Sequence, residues 1–169
     1  YNYVDNTIYY MPTPNYKNKP YLGIATNNGK QLYLIPFTSA KENHIEMPLM
    51  ANDHITIYEE IGPSTIKDSK KIYSWDDSGK EIRLISILDF RKIICAPEKA
   101  FKHIQLNSKR NKGYISLLTK ELDFARTKRD YILSSIDKII SSRNMHLINR
   151  NYCNIEAIEK AAFNYFVLS

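Results

Sequence analysis

Glycine, cysteine and tryptophan are scarce in this chain, with five, two and one among 169 residues. Cys95 and Cys153 lie far apart in apolar or helical surroundings, so neither a disulfide framework nor a Cys/His metal cluster is on offer. Both are read as reduced thiols of a cytoplasmic protein. Few glycines also means no Gly-rich phosphate loop. Gly79-Lys80 is followed by Glu81 and lacks the upstream glycine of a P-loop, and neither G-x-G-x-x-G nor G-x-S-x-G occurs. No apolar run approaches the roughly 18 residues of a membrane-spanning helix, so no membrane partner is expected. No signal peptide is visible, although the chain begins at Tyr1 rather than at a methionine and that absence carries little weight. The four histidines (His44, His54, His103 and His146) are scattered, with no H-x-x-x-H spacing. Clustered carboxylates are limited to Asp76, Asp77 and Glu81 beside Lys80, in a polar turn-like region. They are the candidates for a metal-dependent nuclease; beyond them no metal or other cofactor is expected.

What is present describes a globular protein. Hydrophobic residues make up 43% and charged residues 25%, enough for a core and too apolar for wholesale disorder. The length fits one domain over residues 1–169, since domains usually run to about 100–200 residues. The net charge of +6 and thirteen tyrosines are compatible with a polyanion, because tyrosine stacks on bases and donates to phosphates. "MPTPNYKNKP" (11–20) reads as an extended loop, and "YLGIAT" (21–26) and "QLYLIPF" (31–37) as strands. The Asn28-Gly29 pair between them supplies a hairpin turn. Further strands are expected at 53–61, 81–88 and 91–96, with a long connection or exposed hairpin over 62–80.

Beyond residue 97 the period changes. Ile115, Leu118, Leu122, Ala125, Ile132, Ile136 and Ile139 recur at three- and four-residue spacing, which predicts one amphipathic helix from Lys112 to Ser142 with Arg129 on its seam. A second helix is expected at 154–166 and a short one at "PEKAFKHI" (97–104). The class is α+β, an antiparallel sheet followed by C-terminal helices, one of them long.

One stretch carries chemistry. "FTSAKENH" (37–44) ends a strand with two hydroxyls and a lysine. Ser39 and Glu42 fit a helix capping box. Thr38, Ser39 and Lys41 also make a set of donors suited to a phosphate or oxyanion. In an antiparallel hairpin the start of the first strand lies beside the end of the second. Tyr16 and Lys19 should therefore lie near Thr38, Ser39 and Lys41.

With "KPYLGI", the short hairpin and "LYLIPFTSAKENH", the sequence resembles the ToxN/AbiQ family, endoribonuclease toxins of type III toxin–antitoxin and phage abortive-infection systems, and within it the CptN-like branch. That family carries a P-[LF]-[ST]-S-x-K-x-x-H segment; a weaker similarity continues through "LDFRKIICAP" and the helix from Tyr114. The resemblance implies a twisted, partly barrel-like antiparallel sheet and a metal-independent RNase. It also implies neutralisation by a pseudoknotted antitoxin RNA, which the toxin processes from a repeat transcript and with which it closes into a protein–RNA ring. By position, the family's active-site lysines match Lys19 and Lys41, its Thr-Ser pair Thr38 and Ser39, its cleft tyrosine Tyr16, and its histidine His44. A further N-terminal tyrosine of the family falls on Thr7 here, with Tyr9 and Tyr10 nearby.

These groups suit cleavage by the RNA's own 2′-hydroxyl, which leaves a 2′,3′-cyclic phosphate and a 5′-hydroxyl and needs no enzyme nucleophile. Lys41 and Ser39 would stabilise the phosphorane, Thr38 would position it, and Lys19 would add charge. Tyr16 would stack on a base or donate to the phosphate. Further RNA contacts are expected from Lys17 and His44, and from three cationic stretches: Lys109, Arg110 and Lys112; Arg126, Lys128 and Arg129; and Arg143. A non-catalytic RNA-binding module is the other alternative beside the metal-dependent nuclease. Cellular or phage RNA would be the substrate.

Overall fold

A tyrosine- and isoleucine-rich hairpin begins the sheet in this computed structural model, which describes residues 4–10, 20–25, 31–97, 102–107, 111–142 and 144–168. Strands β2 (Pro20–Ala25) and β3 (Gln31–Ser39) pair antiparallel with Tyr21 opposite Pro36 and Ala25 opposite Leu32. On the outer side of β2 lies β1 (Val4–Tyr10), and beyond it β9 (Lys102–His103). The expected short helix over 97–104 is thus overturned at its end: Lys102 and His103 complete a sheet edge, drawn in by the unpaired backbone of β1. Residues 98–101 lie outside the described residues.

On its other side β3 has two partners. Phe37–Ser39 pair with β7 (Glu81–Asp89), and Gln31–Leu34 pair with β8 (Ile94–Pro97). Between these strands the chain leaves the ladder in a 3₁₀ turn, Phe90–Lys92, opposite Ile35 and Pro36. Proline has no N–H to give a neighbouring strand, so the interruption falls where a ladder bond would be missing. Phe90 and Ile93 are fully buried and anchor the turn, whose Phe90 N–H donates to Asp53 O at 2.9 Å. Strand β7 also pairs with β5 (His54–Glu60) along its length and with β6 (Ile72–Trp75) at its start; β4 (Met50–Ala51) edges β5. The path β4-β5-β7-β3-β2-β1-β9, with β6 and β8 beside it, is a single antiparallel sheet that the described strands do not close. The polar 62–80 segment, expected as a long connection or an exposed hairpin, contains the half-buried strand β6, which forms a hairpin with the start of β7.

Helices cover one face. Tyr33, Ile35 and Phe37 of β3, alternating with Leu34 and Thr38, meet Leu118, Leu122 and Ala125 of α1 (Lys112–Thr127) and Ile132, Ile136 and Ile139 of α2 (Arg129–Ser141) in one core. A short α3 (Met145–Ile148) leads to α4 (Ile155–Leu168), the second helix expected from the sequence. The helix expected to run unbroken from Lys112 to Ser142 is interrupted at Lys128, whose backbone leaves helical geometry at φ −108° and ψ 19°. An uninterrupted helix would bury Arg129 on its apolar seam. The break turns Arg129 to solvent, where it bonds Asp130 at 3.3 Å.

Phe90→Ala should lower stability by about 3–5 kcal/mol, the usual range for deleting a fully buried aromatic. Urea denaturation of the variant against the parent checks this.

Candidate functional site

The exit of β3 sets out four of the expected residues. Ser39 is still paired, opposite Ser86, and Ala40 N–H donates to Ile85 O at 3.1 Å. Ser39 is therefore a strand residue, and the expected Ser39–Glu42 capping box does not form: sheet pairing holds its backbone extended past the point where a cap would turn. The 3₁₀ turn Glu42–His44 is capped instead by Lys41. His44 N–H donates to Lys41 O at 2.9 Å, and Lys41 N–H donates to His44 Nδ1 at 3.0 Å. Ser39 and Lys41 are exposed, whereas Thr38 Oγ1 is buried without a hydrogen-bond partner. Burial, then Lys41, His54 and Arg91, lowers the His44 pKa against the pull of Asp89. With Nδ1 occupied as acceptor, the neutral ring presents Nε2–H as a donor beside Lys41.

A charged cluster missed in the sequence supports this turn. Arg91 grips Asp89 through Nε to Oδ1 at 2.8 Å and Nη2 to Oδ2 at 3.1 Å, and reaches Asp53 Oδ2 at 3.7 Å. Asp89 is 4% exposed. Burial alone would push its carboxyl up, but the Arg91 bond and charge, with Lys92, hold it below the ordinary value. The buried His54 ring sits between Asp53 Oδ1 at 2.8 Å and Pro48 O at 2.9 Å. It fixes the end of the loop that begins at His44. From the C-terminal segment, Cys153 N–H donates to Arg91 O at 3.0 Å, and the charges of Asp53, Arg91 and Asp89 act on Tyr152.

The other expected residues are distributed differently. Tyr16, Lys17, Lys19, Lys109, Arg110 and Arg143 lie outside the described residues, though the Tyr21–Pro36 register is the one the hairpin reasoning requires. Thr7 lies in β1. Lys112 opens α1 and is exposed; its cap is Asn111, whose side chain accepts from Tyr114 N–H at 3.3 Å. Arg126 pairs with Asp123 at 2.8 Å. Lys128, at the helix break, borders a hollow of about 280 Å³ with Tyr58, Phe124 and Asp77. No described contact joins these cations to the β3 exit. Asp76 and Glu81 are engaged locally: Asp76 Oδ1 accepts from Ser78 and Lys80 at 2.7–2.9 Å, and Glu81 pairs with Lys67.

The model of the toxin ToxN family of type III toxin–antitoxin systems matches residues 2–163. The chain belongs to that family. Its fold is shared with solved structures of low identity. One comes from work on selective toxin inhibition by a non-coding RNA pseudoknot in type III systems, with 17% identity over 95% of this chain and 98% of that one, at a TM-score of 0.63. Another is AbiQ, a lactococcal anti-phage endoribonuclease of the type III class, with 14% identity over 94% and 96%, at 0.62. A third comes from a bacterial antiviral system regulated by a processed non-coding RNA, with 21% identity over 89% and 82%, at 0.59. No curated protein sequence is significantly similar to this chain.

Within this family member the donors at the β3 exit lie next to a buried acid. Glu121 of α1 is 3% exposed, and burial raises its pKa from 4.5 to about 7, with Ser86 pulling the other way. Ser86 acts on the Glu121 carboxyl, and neither Ser86 Oγ nor Glu121 Oε2 has a well-formed hydrogen bond. Because the folded value lies above the ordinary one, the stabilising protonated form is fully present below pH 4.5 and is lost as pH rises through about 7. That loss amounts to about 3 kcal/mol. Glu121→Gln should therefore gain stability relative to the parent as pH rises from about 4 to about 8, by up to about 3 kcal/mol, read from chemical denaturation at each pH.

Proposed function

We propose that residues 1–169 form a single endoribonuclease toxin domain that cuts RNA at the exit of β3, without a metal, by attack of the RNA's 2′-hydroxyl on the adjacent phosphate. The reading is carried by one juxtaposition in a ToxN-family chain: the Thr38 hydroxyl without a partner, the exposed Ser39 hydroxyl and the Lys41 ammonium at one strand end. Lys41 and Ser39 donate to the non-bridging oxygens as charge builds on the phosphorane, and Thr38 positions the phosphate. The neutral His44 ring adds an N–H donor next to Lys41. Lys19 supplies a second charge and Tyr16 a base-stacking or phosphate contact, by their match to the family pattern. Products are a 2′,3′-cyclic phosphate and a 5′-hydroxyl. Cellular or phage RNA is the substrate in the cytoplasm. A pseudoknotted antitoxin RNA, processed by the same site, restrains the toxin in a closed protein–RNA assembly. The inhibition of a structural neighbour by such a pseudoknot supports this.

Incubation with single-stranded A-rich RNA in EDTA should yield cyclic-phosphate ends, and Ser39→Ala or Lys41→Ala should each slow cleavage by about two to three orders of magnitude. Cutting that stops in EDTA favours a metal-dependent nuclease, and binding without cutting favours a non-catalytic module.

A further inference from the structure

Four buried side-chain oxygens of the described residues have no hydrogen-bond partner: Thr38 Oγ1, Thr56 Oγ1, Ser86 Oγ and Glu121 Oε2. Such atoms are rare in folded proteins and need a reason. Two of them, Ser86 Oγ and Glu121 Oε2, share the helix-covered face, whereas Thr38 and Thr56 lie on the opposite face of the sheet. Thr38, Ile87 and Thr56 form a cross-strand row, and Ser39, Ser86 and Ile57 form the next. Directly opposed residues carry their side chains on one face. Ser39 and Ser86 therefore lie on the helix-covered face of Phe37 and Leu88, where Glu121 meets Ser86. A carboxyl packed between Leu118, Leu122 and Ala125 adds nothing to that core which leucine would not supply better.

We propose that Glu121, acting through Ser86, positions the Ser39 hydroxyl and is the ionisable group that switches its donor direction during RNA cleavage. The proposal rests on the reading of Ser39 as a phosphate donor. A hydroxyl donates once, and a carboxyl donates only when protonated. With Glu121 protonated, its O–H donates to Ser86, Ser86 donates to Ser39, and Ser39 has its proton free for the phosphate. Ionised Glu121 only accepts. Ser86 then turns its proton to the carboxylate, Ser39 donates to Ser86, and the phosphate loses a donor. These bonds form once RNA seats against Ser39, since such contacts are often long in the empty site. Among the described residues, the Ser86 hydroxyl from β7 acts on Glu121, and Glu121 in turn raises the pKa of the Tyr114 phenol on its own helix. The nearby Lys120 and Arg83 are paired with Glu59. Glu121 touches no substrate and is a positioning residue.

Single-turnover cleavage of the A-rich RNA from about pH 6 to about pH 8.5 tests this, with Glu121→Gln, Ser86→Ala, Ser39→Ala and Lys41→Ala beside the parent. The amide of Glu121→Gln keeps donating to Ser86 at every pH. The ratio of parent rate to Glu121→Gln rate should therefore fall about tenfold across the range, with the RNA concentration for half-maximal rate shifting by less than about twofold. Ser86→Ala should slow the parent and flatten the same limb. A constant ratio with Ser39→Ala inactive overturns the inference and leaves the cleavage site standing. Ser39→Ala and Lys41→Ala at the parental rate overturn both. Should Glu121→Gln fail to fold by circular dichroism, Ser86→Ala decides alone, and a limb like the parent's overturns the inference.

Discussion

Strand β3 carries a proline inside a sheet, and the fold is arranged around the ladder bond that Pro36 cannot make. A central strand with such a residue needs its neighbour to leave the ladder at that height. The chain does so at Asp89, turning through Phe90–Lys92 before rejoining β3 as β8. The Asp89–Arg91 pair makes that excursion rigid, because a buried carboxylate is tolerable only with its partner in good geometry. The same turn accepts Cys153 N–H and donates Phe90 N–H to Asp53, so one interruption ties the C-terminal segment and the β4–β5 corner to the sheet. His44 lies within the field of this cluster. The constraint that breaks the ladder thereby also fixes the wall of the site.

Beside this satisfied cluster, two rows of β3, β7 and β5 hold hydroxyls that find no partner. The contrast is informative. Where the fold needs rigidity, at Asp89, Arg91 and His54, polar groups are paired; where the strand delivers Thr38 and Ser39, they are left open. A sequence selected for stability alone would fill both places with paired or apolar groups. An open donor set is what an incoming phosphate requires, since its oxygens bring acceptors and no donors.

The hairpin strands were legible because their signals are local: two β-rich runs separated by a few residues pair in the expected antiparallel register, while the Asn28-Gly29 connection lies outside the described residues. Thr38, Ser39 and Lys41 could be singled out as candidates for the same reason, being adjacent in sequence at a strand end. The Ser39 cap was misread because a capping box is a four-residue pattern, blind to β7 holding Ser39 in the ladder. The helix break at Lys128 escaped a periodicity that stays in phase from Ala125 to Ile132, with only Arg129 out of place to signal it. Asp53, His54 and Asp89 gave no signal at all. They are brought together by the β5–β7 register, in which His54 faces Asp89, and nothing in either segment's own pattern encodes that meeting. Glu121 was hidden in the same way: on paper it is one more charged residue of an amphipathic helix, and only burial against Ser86 distinguishes it.

The distribution of charge bears on where RNA would settle. A formal +6 spread over a surface is a weak guide, because paired cations cancel at short range. Around β5, β6 and β7 the pairing is extensive: Lys67 with Glu81, Lys80 with Glu60, and Arg83 and Lys120 with Glu59. Lys41, by contrast, is exposed and faces no carboxylate among the described residues. Its charge is uncancelled beside the exposed Ser39 at the strand end. A phosphate there gains a cation that gives up no existing partner, so that part of the binding should weaken with salt as counterion release demands. Phosphates meeting Lys67 or Lys80 must first compete with a carboxylate already in place. On the proposed reading the net charge would attract RNA to the protein as a whole, and the pairing pattern would direct it to the end of β3.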